Sequence, residues 1–86
     1  MPEVSRFFGI VIAMHLGEHP PPHFHARYGK DNVAMGIESL EVLEGRLPPR
    51  ALGLVVEWAS EHQRELLANW NAIEDGRPPQ DIEPLR

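Results

Sequence analysis

The residues best suited to chemistry crowd the N-terminal third of the chain. His15, His19, His23 and His25 lie there, with Arg27 two positions further on and the run Pro20-Pro21-Pro22 between them. Polar and apolar side chains alternate through His23-Phe24-His25-Ala26-Arg27-Tyr28. On a strand, His23, His25 and Arg27 therefore share one face, and Phe24, Ala26 and Tyr28 the other. Cα atoms at i and i+2 stand roughly 7 Å apart, close enough for two imidazoles to converge on one metal ion or one phosphate. Imidazole titrates near neutrality, so two can divide the general base and general acid roles of phosphodiester cleavage, with a guanidinium holding the phosphate. On this reading His23, His25 and Arg27 are the candidate catalytic residues, and His19, Tyr28 and Lys30 are candidate binding residues.

A metal is the rival use of the same side chains. The chain has no cysteine, so an ion must rest on His, Asp or Glu, and His19, His23 and His25 are the first candidates. An extended proline run at about 3.1 Å per residue sets the Cα atoms of His19 and His23 about 12 Å apart, so all three converge only if the run bends, as a cis proline would allow. His15, Glu18 and Asp31 are further donors. A divalent metal is not the favoured cofactor on these grounds. Imidazoles can also simply hydrogen-bond to backbone groups that prolines leave unpaired, and for His15 and His62 taken singly that is the better account.

Positioning these residues requires a sheet. Phe7 to Met14 is apolar at both parities and reads as one mid-sheet strand, with Phe8, Ile10, Ile12 and Met14 on its bulky side and Gly9 and Ala13 on a small-residue side. His23 to Tyr28 is the second strand. Turn chemistry at Gly29-Lys30-Asp31-Asn32 leads to a third through Val33, Met35 and Ile37, and a fourth runs over about 40–43. Pro48-Pro49 opens a helix over about 49–74 that closes before Asp75-Gly76. Leu52, Val55, Val56, Ala59, Leu66, Trp70 and Ile73 form its core stripe, flanked by a ridge of Leu54, Trp58 and His62 that can seat the tail or a partner. The expected fold is α+β, a four-stranded antiparallel meander with one long C-terminal helix on one face, ββββα. It occupies 1–86 as a single domain, with the sheet at about 5–45 and the tail at 75–86. His23, His25 and Arg27 should then stand on the uncovered face, above the small side chains of the first strand.

Composition narrows the function. The chain has 86 residues, 42% hydrophobic and 24% charged, which suits a folded domain. Its formal charge of -5 argues against an all-over nucleic-acid binder. The charge is uneven, however: the basic groups Arg6, Arg27 and Lys30 outnumber Glu3 and Glu18 in 1–30, and the acidic excess lies in 31–86. An anion would be met in the N-terminal third. The longest apolar run is too short to span a bilayer and no signal sequence is evident, so the expected location is cytoplasmic. There is no phosphate loop, dinucleotide fingerprint or nucleophile elbow.

The run Ser5-Arg6-Phe7-Phe8-Gly9-Ile10-Val11-Ile12, then His19-Pro20-Pro21-Pro22-His23-Phe24-His25-Ala26-Arg27-Tyr28-Gly29, resembles the signature of a bacterial family catalogued as domain of unknown function 4160. The likeness continues through Leu40 to Gly45, Arg50-Ala51-Leu52, Glu57-Trp58-Ala59 and Ala68-Asn69-Trp70, with Glu18 where many relatives would carry aspartate. The resemblance assigns no activity. It implies a context: such proteins are commonly encoded beside a second short family, domain of unknown function 2442, in pairs like toxin-antitoxin modules, and some are labelled transcriptional regulators. The expected function is a component of such a pair whose His/Pro/Arg surface binds or cleaves RNA or another phosphate ligand, with or without a metal on its histidines. The alternative is a non-enzymatic interaction or regulatory module that forms a homo- or hetero-oligomer through the Trp58 ridge or a sheet edge.

Overall fold

The apolar run from Phe7 to Met14 does not form one strand. It folds back at Phe8-Gly9, where both residues take positive φ (49° and 80°), the conformation of a two-residue type I′ hairpin turn. In the computed structural model, which describes residues 2–86, the order is β1 (Glu3–Phe7), β2 (Ile10–Ala13), β3 (His23–Tyr28), β4 (Asp31–Gly36), β5 (Val42–Arg46), α1 (Pro49–Glu61) and α2 (Gln63–Glu74). The α+β class and the antiparallel meander hold, but the sheet has five strands in the order β1-β2-β3-β4-β5 and there are two helices. The extra strand is β1. A glycine after an apolar residue is a turn signal as much as a strand interruption, and here the turn prevails.

The β3–β4 turn is tighter than the sequence suggests. Gly29 takes φ 61°, and Asp31 already pairs with Tyr28, so only Gly29 and Lys30 lie in the loop. β5 begins two residues later than expected and runs through Gly45. That glycine takes φ 78°, and a Cβ there would collide with the Asn32 carbonyl, so the strand continues where a bulkier residue would end it.

The long helix is broken at His62, whose φ of -130° lies off the helical path. Its N–H returns to the Ala59 carbonyl at 3.0 Å, and its own carbonyl accepts from Leu66 N–H at 2.9 Å. Next to the break, Gln63 Nε2 donates to the Ile37 carbonyl at 2.9 Å, tying the start of α2 to the exit of β4. The bend carries α2 towards the loop end of the sheet.

Ile10, Ile12, Phe24, Val33 and Met35 are buried on the helix side of the sheet, and Val55, Trp58, Ala59 and Leu66 meet them from above. Phe8 belongs to the bulky parity of its run but sits in the turn and is 60% exposed. Trp58 is fully buried: its ring lies 5.4 Å from Phe7 and 6.0 Å from Phe24 between centroids. Its Nε1–H donates to the Glu83 carbonyl at 2.8 Å. Trp58, at the centre of the ridge, therefore seats the tail and is unavailable to a partner. The two apolar anchors of the tail, Ile82 and Leu85, are both buried, and Ile82 N–H bonds to the Val4 carbonyl on the outer side of β1.

Candidate functional site

Register decides what surrounds the polar side chains of β3. His25 stands between Ala13 of β2 and Ala34 of β4, and Arg27 between Val11 and Asn32. The expected floor of small side chains thus lies beneath His25 only, whereas Arg27 is flanked by the larger Val11 and Asn32. One strand further out, Arg6 pairs with Val11 and Arg46 with Asn32. Arg6, Arg27 and Arg46 consequently occupy one rung of the face opposite the helices, on alternate strands about 10 Å apart given a strand spacing of about 4.8 Å. All three are exposed. Arg6 chelates Glu3, at 3.0 Å from Nε and 2.8 Å from Nη2, and this hydrogen bond holds the exposed Glu3 carboxyl below its ordinary range. Among the described residues, Arg27 and Arg46 enter no salt bridge.

The neighbouring rung, towards the loop end, carries His25. The β2–β3 connection folds over it and delivers Glu18, whose Oε1 lies 2.6 Å from His25 Nε2. The ring of His15, just after β2, stands edge-on to that of His25 at 4.4 Å between centroids. One ligand-type atom from each of His15, Glu18 and His25 lies within 4.8 Å of the others. Burial lowers the pKa of His15 below the ordinary imidazole value, and the neighbouring His25 adds to this against the opposing pull of Glu18. Burial works to raise the Glu18 carboxyl, but the hydrogen bond from His25 and the fields of the three imidazoles outweigh it, so its pKa is lowered. His15 and His25 also border a hollow of about 170 Å³ whose other walls include Arg27 and Asn32.

His23 is not in the open. It is 9% exposed, its ring lies 5.3 Å from that of Trp70 on α2, and its Nδ1–H donates to the Pro21 carbonyl at 2.8 Å. Parity puts it on the same side as His25, but it sits at the end of β3 where α2 and the proline loop close over it. Its remaining nitrogen, Nε2, faces Glu18 Oε2 at 3.6 Å. His19 is exposed and stands outside the cluster, although the Pro20–Pro21 peptide is cis. Tyr28 and Lys30 sit at the opposite end of β3, where Tyr28 lies against Gly9 of the β1–β2 turn. Asp31, facing Tyr28 there, is likewise far from the histidines.

The structure places His25 and Arg27 beside one hollow, buries His23, and groups His25 with His15 and Glu18 instead of His19. The path of the β2–β3 loop makes that exchange, and no periodicity reports a loop's path. The available sign was an acid seven residues before His25, on the far side of a proline run that must turn back.

A family profile described as Domain of unknown function (DUF4160) matches residues 9–71. No curated protein and no solved structure matches the chain. Among the described residues, no helix is long and apolar enough to cross a membrane.

Proposed function

The chain belongs to the DUF4160 family, whose description names no activity, and we propose that it binds single-stranded RNA across the uncovered sheet face and cleaves it at the His15–Glu18–His25 cluster. The observation that carries this reading is the adjacency of two rungs: the guanidinium rung of Arg6, Arg27 and Arg46, and beside it the imidazole rung of His25. The hollow between His15, His25 and Arg27 is where a backbone phosphate would lie.

The roles follow from the electrostatics. His15, kept neutral by burial, accepts the proton of a ribose 2′-hydroxyl. The 2′-oxygen attacks phosphorus and the bond to the 5′-oxygen breaks. His25, oriented by its 2.6 Å contact with Glu18, donates a proton to the departing 5′-oxygen. Arg27 offsets the charge that builds on the phosphoryl oxygens. The products are a 2′,3′-cyclic phosphate and a 5′-hydroxyl. In a cytoplasmic toxin-antitoxin-like pair, this chain would be the toxin.

Cleavage of a labelled single-stranded RNA tests the proposal. His15→Ala and His25→Ala should each lower the rate by about 10²–10⁴-fold, the usual contribution of a positioned acid or base. Arg27→Ala should weaken binding and flatten its salt dependence. Wild-type rates in both histidine variants would end this reading. A second reading, assembly with another copy through the sheet edge, is favoured by β5, whose residues are all exposed, Val42 and Leu43 among them.

A further inference from the structure

We propose that His15, Glu18 and His25, with Nε2 of His23 behind them, form a binding site for one divalent ion of the zinc class. The donors are nearly assembled: one atom from each of the first three lies within 4.8 Å of the others, and His23 Nε2 is 3.6 Å from Glu18 Oε2. Four ligands about 2.0–2.2 Å from a tetrahedral ion stand about 3.3 Å from one another.

His23 supplies the independent sign of a ligand. Its ring is nine-tenths buried, and because a carbonyl can only accept, the contact with Pro21 places the proton on Nδ1. That bond turns its Nε2 towards Glu18 Oε2, 3.6 Å away, where both atoms can reach one ion. A ligating histidine held through its other nitrogen by a backbone carbonyl is also the usual outer-shell arrangement of metal sites. Three imidazoles and one carboxylate suit zinc and its neighbours, whereas magnesium and calcium require an oxygen shell.

This inference rests on the same cluster as the RNA reading and adds its regulation. An ion would take the nitrogen lone pairs that His15 and His25 need for proton transfer, so metal loading and acid-base cleavage exclude each other.

Calorimetric titration of chelator-stripped protein with zinc chloride is the test. One saturable site per chain is expected, weakened at least tenfold in Glu18→Gln and in His15→Ala, with magnesium chloride giving no saturable heat. His19→Ala, outside the cluster, should bind as wild type. Absence of saturable binding, or equal affinity in all three variants, overturns the site. RNA cleavage measured on the same samples separates the two proposals. Zinc binding by a stripped protein that cleaves nothing upholds the metal site and ends the RNA reading. Cleavage without zinc binding does the reverse. Cleavage by stripped protein that zinc suppresses supports both.

Discussion

At the scale of single residues, alternation along β3 places His23 and His25 on one side, yet their surroundings make them different objects. His25 rests between two alanines and hydrogen-bonds to a loop carboxylate, so its ring contributes little packing. His23 lies against Trp70 and satisfies the Pro21 carbonyl. Its truncation removes a buried ring and leaves a carbonyl short of a donor, two effects that each cost about 1–3 kcal/mol. His23→Ala should therefore lower stability by about 2–6 kcal/mol, and His25→Ala by less than about 1 kcal/mol. Urea denaturation followed by tryptophan fluorescence checks the contrast, and equal midpoints in the two variants would contradict it. His25 and Arg27 were legible in the sequence because a strand's period of two is rigid. The burial of His23 was not, because it depends on where a helix on the far side of the chain happens to end.

At the scale of elements, the turns carry most of what the sequence left ambiguous. The Phe8-Gly9 turn needs positive φ at both positions; glycine takes it freely, but phenylalanine does so against its Cβ. Phe8 is mostly exposed, so little burial compensates. Asn-Gly is the preferred pair for this turn, and Phe8→Asn should raise stability by about 1 kcal/mol, measured as a higher urea midpoint with an unchanged slope. A lower midpoint would mean that the edge-on contact between Phe8 and Phe7 outweighs the backbone cost. The strand from His23 to Tyr28 and the start of the helix at the Pro48-Pro49 pair were readable because alternation and proline act locally. The break at His62 was not, since no proline or glycine marks it. It is fixed by a tertiary hydrogen bond from Gln63 to the end of β4.

At the scale of the molecule, the two edges of the sheet receive unequal treatment. The β1 edge is partly capped by the tail: Ile82 N–H reaches the Val4 carbonyl, Trp58 Nε1–H reaches the Glu83 carbonyl, and the Asn69 amide bonds the Gln80 backbone in both directions. Among the described residues β5 pairs only with β4, and its outer edge is open. Edges of this kind pair with other strands unless something covers them. An antiparallel pairing with a second copy, centred on Gly45, would set Glu44 of each chain opposite Arg46 of the other and bury Leu43 beside them, a two-fold arrangement that satisfies both charges. Arg46→Glu would then place like charges across the new ladder and weaken dimerisation at least tenfold. Combining it with Glu44→Arg should restore dimerisation, because the swapped pair is again complementary. Light scattering across a concentration series reads both effects. A wild-type mass of one chain at every concentration, or a double variant as weak as the single one, would rule out the β5 edge as the joint. RNA cleavage in the double variant then reports whether the Arg46 end of the guanidinium rung serves the nucleic acid as well as the partner.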